Sequence, residues 1–130
     1  MAVTELTPDL LEKTLMENEI VLIDFWSTCG PCRSFKPVFE KASETHLDLK
    51  FVSCNTQDQP ELAQAFGIRR IPTLIIFREQ VLILNQTGAL PPPALEKIIQ
   101  NIKALDMDEV RKRVAEQEKQ LASKDQPQED

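Results

Sequence analysis

The chain has 130 residues, 42% of them hydrophobic and 28% charged, with a formal net charge of −6. That is enough chain for one domain with a real core, and the acidic balance excludes phosphate backbones and anionic lipid surfaces as expected partners. Three cysteines are too few for a secreted disulfide framework, and the odd count argues against complete structural pairing.

The first residues, MAVTELTPDL, hold no basic segment followed by a long apolar core, and the longest apolar runs are IVLI and LIIF. Neither a signal peptide nor a membrane span is therefore expected, and the default placement is a reducing cytoplasm. Leu6-Thr7-Pro8-Asp9 predicts a helix start, with Thr7 as the cap, Pro8 in the first turn and Leu6 packing on Leu11; Leu11 and Leu15 mark its buried side. Ile20 to Phe25 is apolar except for Asp24 and predicts a strand covered on both faces. The CGPC segment follows and leads into a helix with Phe35, Val38, Phe39 and Ala42 at helical spacing. Pro37 lies inside that pattern, where a kink is expected.

Leu49 to Cys54 predicts a second strand, and Pro60 starts a short helix through Phe66 that Gly67 stops in the left-handed region. Ile71 to Phe77 and Val81 to Leu84 predict two further strands close enough to form a hairpin. After a loop with Gly88 and Pro91-Pro92-Pro93, Leu95, Ile98, Ile99 and Ile102 define an amphipathic helix. The order helix, strand, helix, strand, helix, strand, strand, helix predicts an α/β fold over residues 1–105, a central mixed sheet with helices on both faces. Residues 106–130 read as a charged C-terminal extension. Asp106 and Glu109 suit a capping box, Met107, Val110, Val114 and Leu121 form a sparse stripe, and the closing KDQPQED is expected to be disordered. Phe35, Phe39, Phe51, Phe66 and Phe77 are expected in the core, Cys54 as an inert core thiol and His46 at the surface.

Cys29 and Cys32, with Gly30 and Pro31 between them, carry the chemistry. At a strand-to-helix junction Cys29 sits at the helix N-terminus, where unpaired amides and the dipole favour negative charge, so its thiol ionises more readily and attacks as thiolate. Cys32 lies one turn further in, more covered and within disulfide reach. Structural zinc would need four ligands, and only Cys54 and His46 remain as soft donors, so no metal is expected. Asp24, in an apolar strand five residues before Cys29, has a carboxylate that burial pushes toward the range useful for proton transfer; it can lie beneath the dithiol and take the proton of Cys32.

IDFWSTCGPCRSFKPVFE resembles the active-site segment of thioredoxins, GIRRIPTLIIF resembles their second hallmark, and the Gly88-Ala89-Leu90 loop follows at the expected distance. The likeness runs from about Thr4 to Ala104. It implies a thioredoxin fold with a cis Ile71–Pro72 peptide facing the dithiol, and a Cys29–Cys32 redox disulfide with Cys29 as nucleophile, Cys32 as resolving thiol and Asp24 as proton acceptor. Trp26, Gly30, Pro31, Ile71, Pro72 and Gly88 would form the substrate surface. It further implies no bound cofactor, with electrons from NADPH arriving through a separate thioredoxin reductase, and disulfide-containing proteins as clients of a monomer.

Three departures stand out. Thr28 occupies the place of the tryptophan that usually precedes the first cysteine, in a segment one residue shorter. Ser53 stands where many members carry a lysine beside the buried aspartate, so Asp24 should titrate higher than is usual. Arg70 replaces a small residue; with Arg69 and Arg33 it either gives the dithiol face a positive spot that would favour acidic substrate segments, or is one of two solvated arginines at a loop. The neutral Gly-Pro pair between the cysteines gives the thiolate little extra stabilisation, which predicts a reductant. Two rivals to a general reductase are an oxidoreductase serving one client and a binding or chaperone-like scaffold that uses the tail.

Overall fold

The computed structural model describes residues 3–125, with side chains as far as Leu121. Strand β2 (Ile20–Trp26) is the middle of its sheet, and six of its seven residues are buried. The sheet also contains β1 (Val3–Glu5), β3 (Lys50–Asn55), β4 (Thr73–Arg78) and β5 (Val81–Thr87), in the order β1-β3-β2-β4-β5. β3 runs parallel to β1 and β2, while β4 is antiparallel to β2 and β5, which is the expected mixed sheet.

Period-two alternation sorts the side chains of β2 between two layers. Ile20 and Leu22 join Phe35 and Phe39 of α2 (Gly30–Thr45) and Leu95, Ile99 and Ile102 of α4 (Pro92–Lys103). Val21, Ile23 and Phe25 pack with Leu6, with Leu11 and Leu15 of α1 (Pro8–Glu17), and with Leu62 of α3 (Pro60–Ala65). By the same alternation Asp24 and Trp26 continue the α2 side, and Cys54 of β3 belongs to the opposite layer.

Several expectations are corrected. β1 was not foreseen: three residues are too short for a periodic signal, and the strand is specified by its pairing with β3. Thr7 occupies the N-cap of α1, but its hydroxyl donates to Asp9 Oδ1 at 2.6 Å rather than accepting from the backbone. β4 begins at Thr73, after the proline, and β5 runs on to Thr87. Phe66 is only partly buried. His46 is 7% exposed rather than at the surface, because its ring lies between α2 and α4, Nε2 donating to Glu96 Oε1 at 2.7 Å and Nδ1 accepting from Lys103 Nζ at 3.3 Å. α2 continues as helix through Pro37, and Gly67 takes the left-handed φ of 64° expected of it.

The extension forms α5 (Met107–Asp125), started by Asp106 Oδ1, which accepts from the amides of Asp108 and Glu109. Met107 is buried and Arg111 pairs with Glu79 at the β4–β5 turn. Helix thus reaches Asp125, and the remainder of the expected disordered end lies outside the described residues. Among the described residues no helix is long and apolar enough to cross a membrane.

Candidate active site

The C-terminal ends of the parallel strands β2 and β3 and the start of β4 converge on α2, and each contributes one part of the site. β2 delivers Asp24 and Trp26 and then turns through Ser27 and Thr28 to Cys29. Cys29 is the N-cap of α2, with extended backbone (φ −145°, ψ 157°), and its Sγ accepts the amide hydrogen of Cys32 at 3.0 Å. The cap needs an acceptor there, and sulfur fills the role that a serine or aspartate oxygen takes elsewhere. Cys29 and Cys32 are joined by a disulfide with their Cα atoms 5.1 Å apart. Cys29 is half-buried, whereas Cys32 is 3% exposed. The sequence expectation of one accessible and one sheltered sulfur agrees with this placement.

Behind the dithiol lies a cavity of about 520 Å³. Asp24, Trp26, Ser27, Thr28, Cys32 and Ser53 all contribute to its walls. Asp24 is 3% exposed and sits between Ser53 of β3 and Leu74 of β4 in register. Burial raises its carboxyl from 3.8 to about 7, with no cationic neighbour acting against it. The absence of a lysine at Ser53 was the sequence signal for this. Trp26 is half-buried and carries the Lys36 ammonium over its ring at 5.7 Å, a partner that sequence reading missed although the ten-residue offset into α2 brings both residues to one wall.

On the other side of Cys29 the Ile71–Pro72 peptide is cis, and the Ile71 carbonyl oxygen is 3.9 Å from Cys29 Sγ. The Pro72 carbonyl accepts from the Gly88 amide at 2.8 Å, which ties the third loop to the same face. Gly88 has φ 102°, a conformation that disfavours any side chain, so glycine is required by the backbone. Gly30 and Pro31 are exposed beside the sulfurs. Arg70 is exposed next to Ile71 in the chain, its carbonyl accepting from the Thr73 hydroxyl at 2.6 Å. Cys54 is set apart: buried in the other layer, its thiol is pushed up to about 11, by burial first and then by the charge of Asp58. Among the described residues no cluster of three or more His, Cys, Asp or Glu side chains could hold a metal ion.

A disulfide at a helix N-terminus, one sulfur half open and the other backed by a buried carboxyl, defines a thiol–disulfide oxidoreductase. The comparisons give the family. Residues 2–118 match the family model described as Thioredoxin. The chain is 57% identical over 117 residues to a protein of Streptomyces coelicolor named as a candidate thioredoxin 2, covering 89% of this chain and 87% of that one. It is 39% identical over 97 residues to thioredoxin 1 of Synechococcus elongatus, covering 72% and 88% of the two chains. A mutant thioredoxin from Halobacterium salinarum superposes with a TM-score of 0.73 at 28% identity, covering 79% of this chain and 91% of that one. The chain belongs to the thioredoxin family, and it is a disulfide reductase of the thioredoxin type; neither rival reading is favoured.

Proposed function

We propose that Cys29 is the nucleophile, Cys32 the resolving thiol and Asp24 the proton acceptor of a general protein-disulfide reductase. In the reduced protein the Cys29 thiolate attacks one sulfur of a client disulfide. The client's other sulfur leaves with the electron pair, and a mixed disulfide remains. Cys32 then loses its proton to Asp24 and attacks Cys29 Sγ. The Cys29–Cys32 bond forms and the second client sulfur leaves as a thiolate. The client gains two electrons and the dithiol loses two. The observation that carries this reading is the shared cavity: the resolving cysteine and a buried carboxyl raised to about 7 line one space behind an accessible sulfur.

Trp26, Gly30, Pro31, Ile71, Pro72, Gly88 and Arg70 would form the surface on which an extended client segment lies, its backbone pairing beside Ile71. Thioredoxin domain 1–105 would do this work, with extension 106–130 fastened to it through Met107 and Arg111. Support for a reducing cytoplasmic setting, a monomer and recharging from NADPH through thioredoxin reductase comes from the family likeness, and for the setting also from the low, odd cysteine count; electron transport and redox homeostasis follow as its roles.

The test is reduction of insulin disulfides by purified thioredoxin reductase, NADPH and this protein. Turnover is expected with wild type and none above background with Cys29→Ser. Equal rates with and without the Cys29 thiol would end the reading.

A further inference from the structure

Among the described residues, two buried side-chain atoms have no hydrogen-bond partner in the protein, Asp24 Oδ1 and Ser27 Oγ. Both residues are more than nine-tenths buried, at 3% and 5% exposure. Both line the cavity that Cys32 lines. Buried polar atoms are rarely left unpaired, so two on residues that wall the same cavity invite a common explanation.

The walls narrow the choice. The titratable and charged groups facing the cavity are Glu5 from β1, Arg33, Lys36 and Glu40 from α2, and Cys32 itself. β3 and β4 place Ser53 and Leu74 beside Asp24. Lys36 is engaged with Trp26. Ser53 is half-buried, which leaves Ser27 as the one fully buried hydroxyl on these walls. It follows β2 directly, at the turn that leads to Cys29.

We propose that Ser27 is a positioning residue for the resolving step: its hydroxyl donates to Asp24 Oδ1, after rotation about its Cα–Cβ bond or through one water, and holds the other carboxyl oxygen toward Cys32. The inference rests on Asp24 being the proton acceptor. In the mixed disulfide the Cys32 proton passes to Asp24, the sulfur's electron pair forms the Cys29–Cys32 bond, the Cys29–client bond breaks, and the client thiolate and Asp24 re-equilibrate their protons with solvent. Because a donor favours the charged carboxyl, removing it raises the pH at which Asp24 can accept.

The experiment is a single turnover of the reduced protein with a symmetrical chromogenic aryl disulfide. The first chromophore released reports attack by Cys29, and the second reports resolution by Cys32. Ser27→Ala is expected to slow the second release about tenfold at pH 7 and to move its pH midpoint up by about one unit, leaving the first release unchanged. Ser27→Thr, which keeps the hydroxyl, is expected to restore the wild-type midpoint. In an Asp24→Asn background, Ser27→Ala is expected to change the second release by less than about twofold, since the two act as one unit. A superposable pH profile for Ser27→Ala, or the same slowing with and without Asp24, overturns the inference. A second release indifferent to Asp24→Asn overturns the acceptor reading beneath it and leaves Cys29 untouched.

Discussion

At the end of the sheet where β2 begins and β4 finishes, Arg78 donates to the carbonyls of Ile102, Lys103 and Leu105 at 2.7, 3.2 and 3.1 Å and to Glu19 Oε2 at 3.2 Å. At the other end of the same two strands, Asp24 Oδ1 and Ser27 Oγ have no partner in the protein. The contrast is between a half-buried cation that satisfies a helix C-terminus and a buried carboxyl that no cation pairs. The first arrangement stabilises α4 and seats α5; the second costs stability and leaves a group able to move a proton near neutral pH. One sheet thus holds a structural pole and a reactive pole, four residues apart along β2 from Ile20, opposite Arg78, to Asp24.

Asp24→Asn tests the reactive pole with the largest effect. The folded carboxyl titrates near 7 against 3.8 when unfolded, so the folded state binds the proton more tightly and loses stability as pH rises from about 4 through about 7. Wild type and variant are expected to unfold alike below pH 4, with the variant more stable by about 4 kcal/mol at pH 9. Urea titrations of the oxidised proteins at the two pH values decide it; a pH-independent difference would mean that burial of charge is not the cause. Arg78→Ala tests the structural pole. It should cost about 3 kcal/mol by leaving helix carbonyls unpaired, with insulin reduction unchanged in the folded protein. Loss of turnover without loss of fold would erase the distinction between the poles. The smallest effect belongs to the rim: Arg70→Ala is expected to lower kcat/KM about threefold for peptide disulfides flanked by glutamate relative to lysine, and less at high salt. A ratio unmoved by the substitution would make Arg70 a solvated loop residue.

Much of this arrangement was legible in the chain because single residues broke local patterns. Asp24 interrupts an apolar run, CGPC marks a strand-to-helix junction, and Gly67 and the residues around Pro72 punctuate their elements. β1 and His46 were not legible, since a three-residue edge strand and a histidine at a helix end take their places from partners distant in sequence. Ser27 carried no signal either: a serine two residues before a cysteine reads as loop until its burial is seen. Arg78 lay just past the strand expected over Ile71 to Phe77, and only the return of α4 to that end gave it a role.

Cys54 has a practical consequence. Its thiol is enclosed in the layer away from the dithiol and titrates far above physiological pH. Mass-tagging of folded protein should therefore leave Cys54 untouched in either redox state, and a tag on it records that the hydrophobic layer itself has opened. The odd sulfur serves as an internal gauge of unfolding, read in the same spectrum as the redox state.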